Sequence, residues 1–438
     1  MRDPLGLDLT GANDASAQDY ALGLRQLQCF TGDPVAAVDQ AIAASPGFVM
    51  GHVLKGYLFA LSTESDAMAV ARACHAAAAG LKGTTRERAH VAALGALTEG
   101  SWNRAGQVLA AVSADQPRDV LALQAGHQID FFTGNALMLR DRLARALPAW
   151  DILMPGYHAV LGMQAFGHEE MGDYGAAERL GKRAVELEPR DGWAQHAVAH
   201  VMEMQCRQRD GIAWMSGAPQ AWAEDSFLKV HNWWHLALFH YDLGQTKEVL
   251  DLYDREIFGG GPGIVLNLVD ASAILWRLWL GGVDAGDRWQ TLAQAWAPQA
   301  GAANYAFNDM HAMMAFVAAG RVDLVGRLLD AQDVAMAGAG DNATFTRQIG
   351  NPLTRAMLAF GQGDYLETVR LILPVRAIAH RFGGSHAQRD VIDLTLIEAA
   401  IRADDRRLAF ALTRERAARR PASPLSALFE KRAASLVA

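Results

Sequence analysis

Histidine titrates near neutrality and also ligates transition metals, and this 438-residue chain places several in a telling pattern. Trp193-Ala194-Gln195-His196-Ala197-Val198-Ala199-His200-Val201-Met202-Glu203 is followed by a second pair, His231 and His235, in Val230-His231-Asn232-Trp233-Trp234-His235. On a helix, steps of four and three residues nearly complete a turn, so His196, His200 and Glu203 share about 40° of arc. His231 and His235 form the same one-turn pair on the next inner helix. Four imidazoles and a carboxylate facing one way would make a titratable site in an otherwise alanine-rich helical protein.

Three chemistries suit those residues. A divalent metal is one, since an i, i+4 histidine pair ligates from one helix face and Glu203 would complete a His196, His200, Glu203 set. His-Ala-Val-Ala-His lacks the glutamate base of the His-Glu-x-x-His hydrolases, and Glu203 would have to be either ligand or base. Acid–base catalysis by His200, His235 and Glu203 is the second. The third is capture of a small anion or a peptide end by His196, His231, His311, His386 and Arg389, with Asp390, Trp193 and Trp234 lining the site. Plainer roles compete with each. Ser385 and Gln388 have the spacing of a capping box, which leaves His386, Arg389 and Asp390 in a first helical turn that favours anions. His240 lies about 180° from His231 and is expected to pack. Asp309 and His311 are about 200° apart, so at most one faces a groove, and His311 is the choice. Asp270 is a weaker candidate. Trp276, Trp279 and Trp233 are expected to be core.

The elements that position these residues read almost entirely as short helices, because alanine and leucine recur at spacings of three and four between glycine and proline breaks. The repeat is clearest from Tyr157 to Pro189. There Gly172-Asp173-Tyr174 turns the chain, Ala177 and Ala184 let two helices approach closely, and Pro189 stops the second. This is the pattern of a tetratricopeptide repeat, a helix pair of about 34 residues. Weaker copies run from Asp33 to Gly47 and follow turns at Asp242-Leu243-Gly244, Ala318 to Arg321, and Gly361 to Tyr365. Helices near 386–402, 405–419 and 424–437 would cap the array. Residues 215–226 break the period as a tryptophan-bearing insertion that could rim the groove. Residues 257–266, with Gly259-Gly260-Gly261-Pro262-Gly263, form a glycine-rich connection without the lysine of a phosphate loop.

Three segments, Trp193 to Glu203, His231 to Gly244 and Gly383 to Asp390, together resemble the tetratricopeptide repeat protein 38 family, and the resemblance runs through nearly the whole chain. It implies a helical-repeat superhelix and brings no securely known activity with it. Counting repeats from Gly172 puts both histidine pairs on first helices, which line the concave side of such arrays.

Composition narrows the rest. Hydrophobic residues make up 51% and charged residues 20%, enough for an extensive core. The net charge of −8 has no strong block, which argues against nucleic acid or an anionic membrane surface as partner. Cys29, Cys74 and Cys206 have no paired spacing, Met1 to Gly6 does not open a signal peptide, and no stretch is apolar enough to span a membrane, so a soluble cytoplasmic protein is expected. The expected fold is an all-α tetratricopeptide-like superhelix (an α-solenoid) in one domain, 1–438. It comprises divergent repeats over 1–150, the best repeats with the inner histidines over 151–256, and further repeats and caps over 267–438. Closed on itself, such a groove becomes a pocket that suits a small molecule. The expected function is binding of a small anionic ligand or peptide end by a monomer or homodimer. A hydrolase or lyase, with or without a divalent metal, is the alternative.

Overall fold

The computed structural model describes residues 1–261 and 263–436; Pro262 of the glycine-rich connection and Val437 of the last expected helix lie outside them. Among the described residues every regular element is a helix, and consecutive helices pack as pairs. This is the helical-repeat, α-solenoid class that the 3.6-residue patterning predicts.

The pairs have a common division of labour. Tyr157–Glu170, the first helix of the clearest repeat, buries eleven of its fourteen residues. Its partner Tyr174–Leu187 buries only Ala177, Gly181 and Ala184, one narrow stripe. Val265–Leu280 and Arg288–Trp296 repeat the contrast, with thirteen of sixteen residues buried on the first and four of nine on the second. First helices thus form an inner layer surrounded by protein, and second helices an outer layer with a wet face. Asp173 caps the second helix of the best repeat through the Ala176 amide, and Gly172 makes the preceding turn at φ +80°, where a side chain would be strained.

The packing falls into two compact units: Met1–Val198 with Ala218–Lys229, and Ala199–Gly217 with the chain from Val230 onward. The division passes through helix Gly192–Met204, so His196 belongs to the first unit and His200 and Glu203 to the second.

In the first unit, helix pairs follow one another from Asp14–Cys29 to Tyr157–Glu170 and Tyr174–Leu187. The insertion expected over 215–226 is only partly a loop, because helix Gln208–Gly217 runs into it and Pro219–Ala223 forms a further short helix. Its tail returns to the start of the chain. Thr31 and Ser226 form a β-bridge, the Gly32 amide donates to Asp225, and the Phe227 amide donates to Phe30. The Phe30 ring stacks on Trp193 at 5.5 Å and meets Phe227 at 5.4 Å. Phe30 and Asp225 both take left-handed backbone angles, φ 56° and 54°, which non-glycine residues adopt only when surrounding contacts hold them.

The second unit departs from an open array, in which each repeat meets only its neighbours. Helix Val265–Leu280 packs against the distant His386–Arg402. The Trp276 indole donates to Thr395 Oγ1 at 2.9 Å, Arg277 donates to the Ala387 carbonyl at 2.8 Å, and Arg402 donates to the Leu280 carbonyl at 3.1 Å. The inner helices of this unit therefore close on one another. The final helices, His386–Arg402, Arg406–Arg419 and Pro424–Ser435, fall where the sequence places them. Among the described residues no helix is long and apolar enough to cross a membrane.

Close helix packing yields a direct prediction in the first unit. A Cβ on Gly167 would lie 2.5 Å from the Leu139 carbonyl oxygen and 2.6 Å from the Arg140 backbone, atoms of the preceding helix that cannot swing aside. Gly167→Ala is expected to destabilise by about 2 kcal/mol in chemical denaturation. Gly175→Ala, whose Cβ would meet only the Arg179 guanidinium at 3.6 Å, should be neutral or slightly stabilising.

Candidate functional site

The second unit gathers His200 from helix Gly192–Met204 with His231 and His235 from Lys229–Asp242. One ring nitrogen from each lies within 4.8 Å of the others. The ring centres of His200 and His235 are 4.4 Å apart, and those of His231 and His235 are 4.9 Å apart at an interplanar angle of 87°. His200 and His235 are fully buried. The inner helices bring the rings together because both first helices are enclosed and one turn separates the members of each pair.

Carboxylates stand beside two of the rings. Asp270, inside helix Val265–Leu280, accepts from His231 Nδ1 at 2.9 Å. With a carboxylate on Nδ1, the other ring nitrogen, Nε2, is the one that could coordinate a metal. Glu203 Oε2 lies 3.3 Å from His235 Nδ1, and its other oxygen is 3.5 Å from Arg420. Burial holds His235 well below the usual imidazole range, reinforced by His200, His231 and Arg277, so His235 is neutral at physiological pH. Trp234 is fully buried, stacked on His231 at 5.3 Å on one side with the Arg277 guanidinium 5.4 Å from its ring.

His196 sits one helical turn before His200, in the part of the helix that belongs to the first unit. It packs in an aromatic nest, 4.7 Å from the Trp193 ring and 5.4 Å from Phe166. Trp193 is thus a packing residue of that nest. His127, which the sequence reading passed over, presents its ring to Phe166 and Trp193, and burial pushes it down to about 3.

Other expected site residues lie apart from the converging nitrogens. His311 donates Nδ1–H to the Phe307 carbonyl of its own helix, and burial lowers it to about 4. Asp309, on a different face of that helix, is also buried and accepts from Gln332 Nε2 at 3.1 Å. Ser385 and Gln388 form the expected capping box. His386 is half-buried in that first turn, outside the nitrogen group. The Arg389 guanidinium donates back to the Gly384 carbonyl. Asp390 is held by Arg416 at 2.6 and 3.2 Å. Burial opposes its charge, but Arg416 and Arg420 keep its carboxyl well below the usual range. It therefore answers protein cations. His240 is half-buried at its helix end and pairs with Gln245 Oε1 at 2.6 Å, where a packed histidine was expected.

The metal set expected from one helix, His196 with His200 and Glu203, is not the grouping the second unit presents. Glu203 lies outside the group of ligand atoms, and His231 and His235 stand with His200 instead. A helix turn brings i and i+4 side by side, whereas His231 and His235 reach His200 from the facing helix. Sequence reasoning ranked Asp270 low and missed Arg277, Arg416 and Arg420. Asp270 had a signal: His90 pairs with Asp119 29 residues on, His158 with Asp191 33 residues on, and His231 with Asp270 39 residues on. These are near-repeat intervals joining successive inner helices. No protein-family model matches the chain.

Burial raises Asp309 from its ordinary 3.8 to about 7, so near pH 5 the folded state holds a proton the unfolded chain has released. The stability tied to this group is complete below about pH 4 and lost as pH rises toward 7. Asp309→Asn keeps an acceptor for Gln332 and removes the charge. It is expected to raise stability above pH 7 by about 2 kcal/mol and to change little near pH 4. Urea melts at the two pH values check this, and parallel curves for both proteins would refute it.

Proposed function

We propose that this protein binds a divalent transition metal at His200, His231 and His235, and through it a small anionic ligand or peptide end. The single observation that carries the reading is the convergence of three imidazole nitrogens from two buried inner helices. Imidazole suits zinc, copper, iron and nickel. Tetrahedral coordination at about 2.0–2.1 Å needs nitrogens roughly 3.3 Å apart, within reach of small side-chain rotations from the present spacing. The donor set fits in protonation as well, since metal ligation needs a neutral imidazole and burial keeps His235 neutral. Asp270 on His231 Nδ1 is the outer carboxylate that commonly fixes a metal-bound histidine. When bound, the metal would supply a positive centre for an anion and polarise what it holds.

The same reading extends to kinship. The three segments that resemble the tetratricopeptide repeat protein 38 family supply Glu203, the His231–His235 pair and Asp390, and Glu203 and Asp390 flank Arg420 at 3.5 and 3.9 Å. We take this as support for membership and for tetratricopeptide ancestry of the pairs.

A hydrolase or lyase is the second reading, favoured by the place of Glu203. It touches His235 and lines a cleft open to solvent, so a carboxylate adjoins both the imidazoles and an entry route. In that role Glu203 would hold or move a proton at Oε2.

Elemental mass spectrometry on tag-free protein tests the metal reading. Near-stoichiometric metal is expected, with loss of most of it in His200→Ala and His235→Ala. Asp270→Asn should weaken affinity about 10- to 100-fold while leaving the fold intact by circular dichroism. Metal-free protein that also fails to take up zinc, nickel or iron(II) on dialysis would overturn the proposal.

A further inference from the structure

Arg277 is fully buried in the second unit, and its position is unusual for a permanent cation. Two of its N–H groups donate to backbone carbonyls, to Ala273 at 3.0 Å and Ala387 at 2.8 Å. Trp234 covers one face. Among the described residues no carboxylate lies within the 4.0 Å ion-pair distance of it. A buried charge ordinarily requires a partner.

The surroundings show why one is lacking. Arg277 lines a cleft with Glu203, Asp242, Asp390, Arg416 and Arg420. Arg416 and Arg420 are already answered: Asp390 holds Arg416 at 2.6 Å, and Glu203 and Asp390 flank Arg420 at 3.5 and 3.9 Å. Asp242 is engaged by Ser423 at 2.5 Å and by Gln208, and burial pushes its carboxyl up, away from the charged form. The carboxylates of the cleft are thus each engaged by other groups, and none stands against Arg277 itself. A second donor points the same way, because Arg416 Nε is buried without a hydrogen-bond partner among the described residues. The cleft volume is about 20 Å³, more than one water needs and too little for a sugar or nucleotide.

We propose that this cleft is a subsite for the carboxylate head of a small organic acid, with Arg277 as its counter-charge and Arg416 Nε as a further donor. A single carboxylate supplies one negative charge and planar acceptors matched to guanidinium N–H groups. Glu203 borders both this cleft and His235, so a molecule anchored here extends toward the imidazoles. The subsite is built from arginines and does not depend on a metal.

Saturation-transfer NMR on sodium formate, with the full chain stripped of metal by a chelator, tests this. Transfer to the formate proton is expected, displaced by acetate and not by chloride at equal ionic strength. Arg277→Gln should weaken the effect about tenfold or more, and Arg277→Lys should retain part of it. Absence of transfer in the wild-type protein, or equal transfer in Arg277→Gln, overturns the proposal. If Arg277→Gln does not fold, the wild-type competition decides, and displacement by chloride as effective as by acetate counts against a carboxylate subsite. Because the protein is metal-free, failure here is distinct from failure of the metal reading.

Discussion

An inner helix enclosed by protein has no water to satisfy its polar side chains, so each must be answered from a neighbouring element. That constraint organises both units. In the first, His90 reaches Asp119 and His158 reaches Asp191; in the second, His231 reaches Asp270. Asp119 and Asp191 each also accept a backbone amide at the start of an inner helix, from Ala122 and Ala194, so one carboxylate orients a ring and caps a helix. These pairs tie inner helices one repeat apart and set the rotation at which each presents its remaining side chains. His231, beside His200, is oriented by the same device.

Much of the architecture was legible because its determinants are local. Gly172, Gly244, Gly320 and Gly363 sit at turns with positive φ, and alanine stripes mark the outer helices. The capping box at Ser385 needed only a three-residue spacing. The one-turn histidine pairs were readable for the same reason. Facing partners were not, because which helix meets which is a tertiary fact. His311 and His386 have suitable side chains and stand outside the group of converging nitrogens. Nothing in the sequence singles out Arg277, yet closure of Val265–Leu280 on His386–Arg402 encloses it. Local spacing carries no record of that closure.

The electrostatics of the second unit follow from burial more than from net charge. Asp390 stays ionised because two guanidinium groups outweigh its desolvation, whereas Asp309, with only an amide donor, is pushed toward neutrality. Two aspartates on inner helices of one unit are thus shifted in opposite directions from the ordinary carboxylate range. The difference lies in whether a cation reaches them.

The return of residues 224–229 to Phe30 has a consequence for synthesis. The first unit is made of two separate stretches of chain, since Ser226 Oγ donates to the carbonyl of Phe30, 196 residues earlier. A ribosome must therefore release residues through Lys229 before that unit can be completed, and by then Ala199–Gly217 of the other unit has already emerged. Neither unit corresponds to one uninterrupted piece of coding sequence. Exchange of a single block of sequence at the boundary would carry away part of one unit while leaving the other unfinished.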